Sequence, residues 1–185
     1  MTLVAWRTLL WLSILGLTGC GASHVRTIEP TNDDGHWRLE GRLAVSDGHD
    51  SGSGSVVWEQ DGQRFNISLR APVSGQSWRL EGDDQHCTLE GLKSYPLSAA
   101  SPEELLQREL GWDLPVAALR DWLRGRPMSA SVDVQRDEAG RVVGFREAGW
   151  EVSYRDFRDG TPTRITARKP PHQVRLAIKS WTALP

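Results

Sequence analysis

From Trp37 to Val45 the chain alternates without a break: Trp37, Leu39, Gly41, Leu43 and Val45 interleave with Arg38, Glu40, Arg42 and Ala44. A period of two puts successive side chains on opposite faces of an extended strand, so this segment has one polar face and one face that must be covered. The pattern recurs between turn signals. Ser51-Gly52-Ser53-Gly54 reads as a loop, and the strand Ser55 to Gln60 follows it. Asp61-Gly62 predicts a tight hairpin turn that returns through Phe65, Ile67 and Leu69 on one face. Pro72-Val73-Ser74-Gly75 predicts a second turn, after which Trp78 and Leu80 alternate again. Shorter strands are expected from His86 to Glu90 and near Tyr95.

In the middle of the chain the period changes. Ser101-Pro102-Glu103-Glu104 joins an N-cap hydroxyl, a proline at the first helical position and a glutamate placed for a capping box, which predicts a helix ending near Gly111. A second helix is expected from Pro115, with Val116, Leu119, Trp122 and Leu123 on one stripe, stopping at Gly125 before Pro127. Strands then resume at Ser131 to Arg136, Val142 to Arg146, Trp150 to Tyr154, Arg164 to Arg168 and Val174 to Trp181. About eleven short strands with a helical insertion favour a barrel or strongly curved antiparallel sheet, with the helices over one open end.

The N-terminus carries a separate signal. Arg7 is followed by the apolar run Thr8 to Leu17, and no acidic residue occurs before Glu29. The run is shorter than the roughly 20 apolar residues that span a bilayer and reads as a secretory signal. It ends in Leu17-Thr18-Gly19-Cys20, which resembles a lipobox: an aliphatic residue, two small ones, and a cysteine whose thiol takes a diacylglycerol. The expected organisation is a signal peptide over 1–19, a lipidated end with a polar tether over 20–35, and one domain over 36–185. Beyond the diacylglycerol and N-acyl chain expected on Cys20, no cofactor is implied. Cleavage before Cys20 removes only Arg7 among the charged residues, taking the formal charge from −2 to −3. A weakly acidic domain has no bulk attraction for nucleic acid. Cys87 then has no internal disulfide partner and reads as a small buried hydrophobe.

Catalytic patterns are not visible. His24, His36, His49, His86 and His172 lie far apart, with no spacing that suits a metal. There is no Gly-x-Ser-x-Gly elbow, and Gly48, Gly52 and Gly54 lack the Gly-Lys-Ser/Thr ending of a phosphate loop. Glu103 and Glu104 fit a helix N-terminus better than a catalytic pair. Seven tryptophans lie after Cys20, namely Trp37, Trp58, Trp78, Trp112, Trp122, Trp150 and Trp181, against two tyrosines and three phenylalanines in the whole chain. That enrichment suggests an apolar body meeting a polar rim as well as a sealed core.

Several segments together resemble the outer-membrane lipoprotein receptor family LolB. They run in order from Trp37-Arg38-Leu39-Glu40-Gly41-Arg42-Leu43-Ala44 through Val57-Trp58-Glu59-Gln60 and Ala71-Pro72-Val73-Ser74-Gly75. Leu119-Arg120-Asp121-Trp122-Leu123-Arg124-Gly125, Gly149 to Tyr154 and the terminal Ile178-Lys179-Ser180-Trp181 complete the series. The resemblance implies an eleven-stranded half-open barrel with a helical lid around an apolar cavity. It also implies a monomeric receptor on the periplasmic face of the outer membrane. Such a receptor takes cargo lipoproteins from the soluble carrier LolA and places them in the inner leaflet without nucleotide hydrolysis. In the family, the loop matching Ala71 to Gly75 carries a protruding aliphatic residue, usually leucine. Here that position is Val73, flanked by Pro72, Ser74 and Gly75, and the serine is an addition.

For an acyl-chain cavity the candidate lining residues are Trp58, Phe65, Ile67, Leu69, Trp78, Leu80, Trp122, Trp150 and Tyr154, which sit on apolar strand faces or the lid helix. Ordinary core packing is the alternative for each. The alternative function is a lipoprotein scaffold that joins an envelope complex through a surface patch and carries no lipid. The anchor is testable directly: with a cleavable ordinary signal, the Cys20→Ala chain should fractionate as a soluble periplasmic protein. Sedimentation with membranes as firm as that of wild type would show that Cys20 is not the anchor.

Overall fold

In the computed structural model, residues 35–72 and 75–184 are described. Eleven strands form one antiparallel sheet. The N-terminal run is β1 (His36–Ser46), β2 (Ser51–Asp61), β3 (Arg64–Arg70), β4 (Ser77–Gly82), β5 (Cys87–Glu90) and β6 (Leu97–Ala99). Two helices follow, α1 (Pro102–Leu110) and α2 (Val116–Trp122). The C-terminal run is β7 (Val134–Arg136), β8 (Val142–Glu147), β9 (Trp150–Arg158), β10 (Thr161–Lys169) and β11 (His172–Ala183). The spatial order is β6-β5-β4-β3-β2-β1-β11-β10-β9-β8-β7, so the first and last strands pair at the centre and each run steps outward from them. The sheet does not close, and its free edges are β6 and β7.

That order dictates where the helices go. A chain that leaves one edge at β6 and re-enters at the opposite edge, β7, must cross a face of the sheet. It crosses the apolar one: Leu105, Leu106, Val116, Leu119, Trp122 and Leu123 are buried together with Leu39, Leu43, Ile67, Leu80, Val152 and Leu176 of the strands. The result is the expected half-open barrel with a helical lid.

Local chemistry matches the expected helix ends. The Ser101 hydroxyl accepts from Glu104 N at 3.2 Å, Pro102 opens α1, and Gly111 closes it with φ 71°, a conformation that costs glycine nothing. Only half of the capping box forms, because the Glu104 carboxylate turns to Arg108 at 3.2 Å. Glu103 instead accepts from Ala117 N at 2.9 Å and so caps α2, whose own N-cap, Pro115, has no side-chain bond to give.

Three expectations are corrected. Ser51 to Gly54 belong to β2 and are not a loop. Their glycines give clearance: a Cβ on Gly52 would lie 2.9 Å from the Trp112 ring, and one on Gly54 would lie 2.5 Å from the Arg70 carbonyl oxygen. Tyr95 lies outside any strand and is 57% exposed; the strand begins at Leu97, whose side chain reaches the core. Ser131 to Asp133 form a turn, and β7 starts only at Val134.

Candidate functional site

Between the lid and the inner face of the sheet lies a void of about 30 Å³. Its walls are hydrophobic throughout. The lid contributes Leu106, Leu114, Val116, Leu119 and Leu123, and β1 to β4 and β11 face them with residues that include Leu39, Leu43, Val56 and Leu176. Such a space holds about one water and is far below the several hundred Å³ of a ligand pocket. The open cavity expected from the resemblance is therefore closed here, filled by the lid's own leucines.

A second cavity, about 140 Å³, lies where α1 and α2 begin. Trp58 and Val116 line both spaces, so the two adjoin at those side chains, and the end of the lid over this second cavity is its mouth end. Trp58, Gln60 and Phe65 line it from the sheet, and Asp84, Glu103 and Arg120 supply charge around it. Gln60, 1% exposed, is the buried polar residue of this core. Its Oε1 accepts from Trp58 Nε1 at 3.0 Å and its Nε2 donates to the Gly62 carbonyl at 2.9 Å. Gln60 thereby fixes the Trp58 ring at the junction of the two spaces, since a buried donor without a partner would cost about 1–3 kcal/mol.

The lid is fastened unequally. At the far end of α2, the Glu147 carboxylate accepts three bonds: from Trp122 Nε1 at 2.7 Å, Met128 N at 2.9 Å and Ser129 N at 2.8 Å. Tyr154 Oη donates to the Trp122 carbonyl at 2.7 Å. Burial pushes the Glu147 carboxyl up, but the three hydrogen bonds outweigh it and hold the group below its ordinary value. Burial, and then the Glu147 charge, push the Tyr154 phenol well above its ordinary value, so it remains a donor. Elsewhere Arg108 Nη2 donates to the Ser98 carbonyl at 3.1 Å, and the remaining ties are ion pairs, worth about 0–1 kcal/mol each where solvated. They are Lys93 to Glu109 at 2.8 Å, Lys169 to Asp113 at 2.9 Å and, at the mouth, Arg120 to Asp84 at 3.9 Å.

The structure divides the nine candidate lining residues. Trp58, Ile67, Trp78 and Leu80 line the void. Phe65 lies at the mouth, and Leu69 is buried opposite Trp78 in register. Trp122, Trp150 and Tyr154 come together elsewhere, in an aromatic cluster with Phe145 whose ring centroids are 6.0–6.2 Å apart, beside Glu147. Glu147 carries no visible pattern in the sequence, since its partners are 18 to 25 residues away. Cys87 is fully buried, its thiol pushed up to about 11 by burial, as suits a small hydrophobe. Of the loop residues, Pro72 and Gly75 are exposed, while Val73, Ser74 and also Cys20 lie outside the described residues. The loop's stem is closed by Gly75 N donating to the Ala71 carbonyl at 3.2 Å and Ala71 N to the Gln76 carbonyl at 2.8 Å.

Comparison with known proteins bears on what this arrangement serves. A family model described as outer membrane lipoprotein LolB matches residues 35–181. The chain belongs to the LolB family. The outer-membrane lipoprotein LolB of Xanthomonas campestris pv. campestris (strain B100) is 36% identical over 159 residues, covering 80% of this chain and 73% of the relative. That of Xylella fastidiosa (strain 9a5c) is 36% identical over 156 residues, covering 80% and 72%. Among solved structures, a LolA superfamily protein from Nitrosomonas europaea superposes with a TM-score of 0.50 at 11% identity, over 82% of this chain and 87% of its own. That likeness is one of fold. LolB membership assigns the chain to lipoprotein localisation at the outer membrane, a trafficking family and not a known enzyme family.

The fastening of the lid is testable by substitution at Glu147. Glu147→Ala leaves Trp122 Nε1, on a residue 0% exposed, without its acceptor and should destabilise the fold by about 1–3 kcal/mol in chemical denaturation. Because the folded pKa of Glu147 is depressed, its contribution is fully present above the unfolded carboxylate value of about 4.3 and is lost as pH falls through the folded value. The stability gap between wild type and Glu147→Gln should narrow as the pH is lowered below about 4.3. An unchanged gap at low pH would mean that the ionised carboxylate is not what holds Trp122.

Proposed function

We propose that this LolB-family chain is a receptor that accepts lipoproteins from the periplasmic carrier LolA and inserts them into the inner leaflet of the outer membrane. In this reading the cargo's acyl chains enter the apolar interior by displacing the lid, and the receptor sits on the periplasmic face. The observation that carries it is a void walled by hydrophobic side chains alone, under a lid whose densest hydrogen bonding lies at one end. Helices pinned at Trp122 by Glu147 and Tyr154, and tied at the mouth by one long ion pair, swing outward at the mouth when acyl contact replaces the burial of Leu106, Val116 and Leu119. Leu106, Val116 and Leu119 then leave the space that acyl carbons take, so apolar contact is exchanged and not lost.

The energetics require such an exchange. At about 0.8 kcal/mol for each buried methylene, a sixteen-carbon chain in water costs on the order of 12 kcal/mol. Passing it between two apolar interiors removes most of that cost, and a modest affinity difference sets the direction without nucleotide hydrolysis. Neither helix among the described residues is long and apolar enough to cross a membrane. The diacylglycerol and N-acyl chain on Cys20 supply the anchor in this proposal. Val73, presented by Pro72, Ser74 and Gly75, supplies an apolar contact with the bilayer during delivery.

Two measurements test this. A fluorescent fatty acid should bind saturably, quench Trp58 and Trp78, and increase amide hydrogen exchange in α1 and the start of α2 while β1 and β11 stay protected. No saturable binding would leave the interior as an ordinary core. For delivery, one valine moved from water to hydrocarbon contributes about 1.5 kcal/mol or slightly more, enough to bias docking but not to anchor. Val73→Glu should therefore keep wild-type stability and acceptance from LolA, while cargo accumulates on the receptor and fails to enter liposomes. Insertion at the wild-type rate would remove Val73 from the mechanism.

A further inference from the structure

We infer that the outer face of the sheet docks on an anionic phospholipid surface through a lateral row of four arginines. Register alone places them together. Arg155 of β9 lies opposite Arg164 of β10, which lies opposite Ala177 of β11. Ala177 lies opposite Arg42 of β1, which lies opposite Ser55 of β2, and Ser55 lies opposite Arg70 of β3. At about 4.8 Å per strand the row runs roughly 24 Å across the sheet. All four arginines are exposed, and they alternate along their strands with the buried residues Leu43, Leu69, Tyr154 and Ile165, so they project away from the lid. The residues between them, Ala177 and Ser55, are too short to screen the guanidinium groups. Arg175, facing Ala44 and Thr166 one step along β11, adds a fifth charge beside the row.

Neither composition nor folding accounts for this row. The chain is net negative, at −2, so a basic stripe is not a by-product of a basic protein. Arg155 directly opposite Arg164 is a like-charge cross-strand pair, which destabilises a sheet. Asp156 meets Arg164 at 2.6 Å and relieves that one. Arg42, Arg70 and Arg155 have no ion-pair partner among the described residues.

A bilayer fits this face better than a protein does. Protein interfaces centre on a desolvated aromatic or aliphatic anchor. The row offers none, only guanidinium groups at regular intervals over small side chains, and mobile headgroup phosphates adapt to such an array by bidentate contact. The row also ends at Arg70, the last residue of β3, whose register partner Ser77 opens β4. The inference uses the outer-membrane location of the family and is independent of whether acyl chains enter the interior.

Vesicle co-sedimentation of the full chain carrying Cys20→Ala, so that no acyl anchor dominates, tests it. Wild-type sheet residues should bind phosphatidylcholine vesicles containing phosphatidylglycerol, bind pure phosphatidylcholine far less, and release as salt rises. R42Q/R70Q/R155Q should weaken binding about 10- to 100-fold. Its melting temperature should equal or exceed wild type's, because a like-charge pair is removed, and its fatty-acid titration should be unchanged. Equal binding with and without phosphatidylglycerol, or full binding by the triple variant, overturns the proposal. So does a triple variant that still binds the anionic vesicles yet no longer accepts cargo from a protein carrier, which would make the row a protein-docking face.

Discussion

The pairing of β1 with β11 is the constraint from which the rest of the structure follows. The two chain ends meet at the centre of the sheet, so β6 and β7 become the free edges, and the segment joining them has no path except across a face. Gly41 makes the central pairing possible: at the bulge between Glu40 and Gly41 a Cβ would run into the Ala177 carbonyl. Once β1 and β11 are joined, each run needs only short antiparallel turns. The crossing segment must be helical to satisfy its own backbone while presenting leucines to the sheet. The lid is thus a topological necessity, and its apolar stripe is what makes the crossing stable.

A lid of this origin is attached at both ends to sheet edges, yet the two ends are not equivalent. The far end is set in place by a carboxylate with three donors and a phenol on the Trp122 carbonyl; the phenol's bond is buried and the Trp122 Nε1 bond half-buried, while the Met128 and Ser129 bonds face solvent. At the mouth one long ion pair, Arg120 to Asp84, ties the lid to the β4–β5 turn, and the Glu103 cap only joins α1 to α2 within the lid. Charged hydrogen bonds contribute about 1.5–3 kcal/mol each and exposed pairs about 0–1, so thermal opening concentrates at the mouth. This assigns separate work to the aromatic residues. Trp58 and Trp78 line the void, whereas Trp122, Trp150 and Tyr154 belong to the aromatic cluster beside Glu147.

That division also explains what could be read from sequence. Period-two alternation located most strands, and Ser101, Pro102 and Gly111 bracketed α1, because those signals are local and each residue acts through its own backbone. Gly52 and Gly54 misled, because a glycine kept for clearance under Trp112 or beside the Arg70 carbonyl looks the same as one kept for a turn. The apolar faces of β2 to β4 pointed to Trp58, Ile67, Trp78 and Leu80, since a strand face turned inward must meet whatever the sheet encloses. Trp122, Trp150 and Tyr154 share that apolar signature, but what sets them apart is Glu147, whose bonds are long-range and leave no spacing to read. The filled interior was equally illegible: strand patterns give the wall, and the volume depends on how far Leu106, Leu119 and Leu123 reach down from the lid.

Alternation does one more thing in this protein. Leu43 and Arg42, or Tyr154 and Arg155, are neighbours in sequence and lie on opposite faces, so one strand serves an apolar interior and a cationic exterior at once. Because the outer row is fixed by the register of β9 to β3, it does not depend on the position of α1 and α2. A lid can therefore move at the mouth while the outer face keeps its geometry. Under both proposals, contact with a surface outside and exchange of apolar contents inside are decoupled by the sheet itself, whose backbone ladder lies between them.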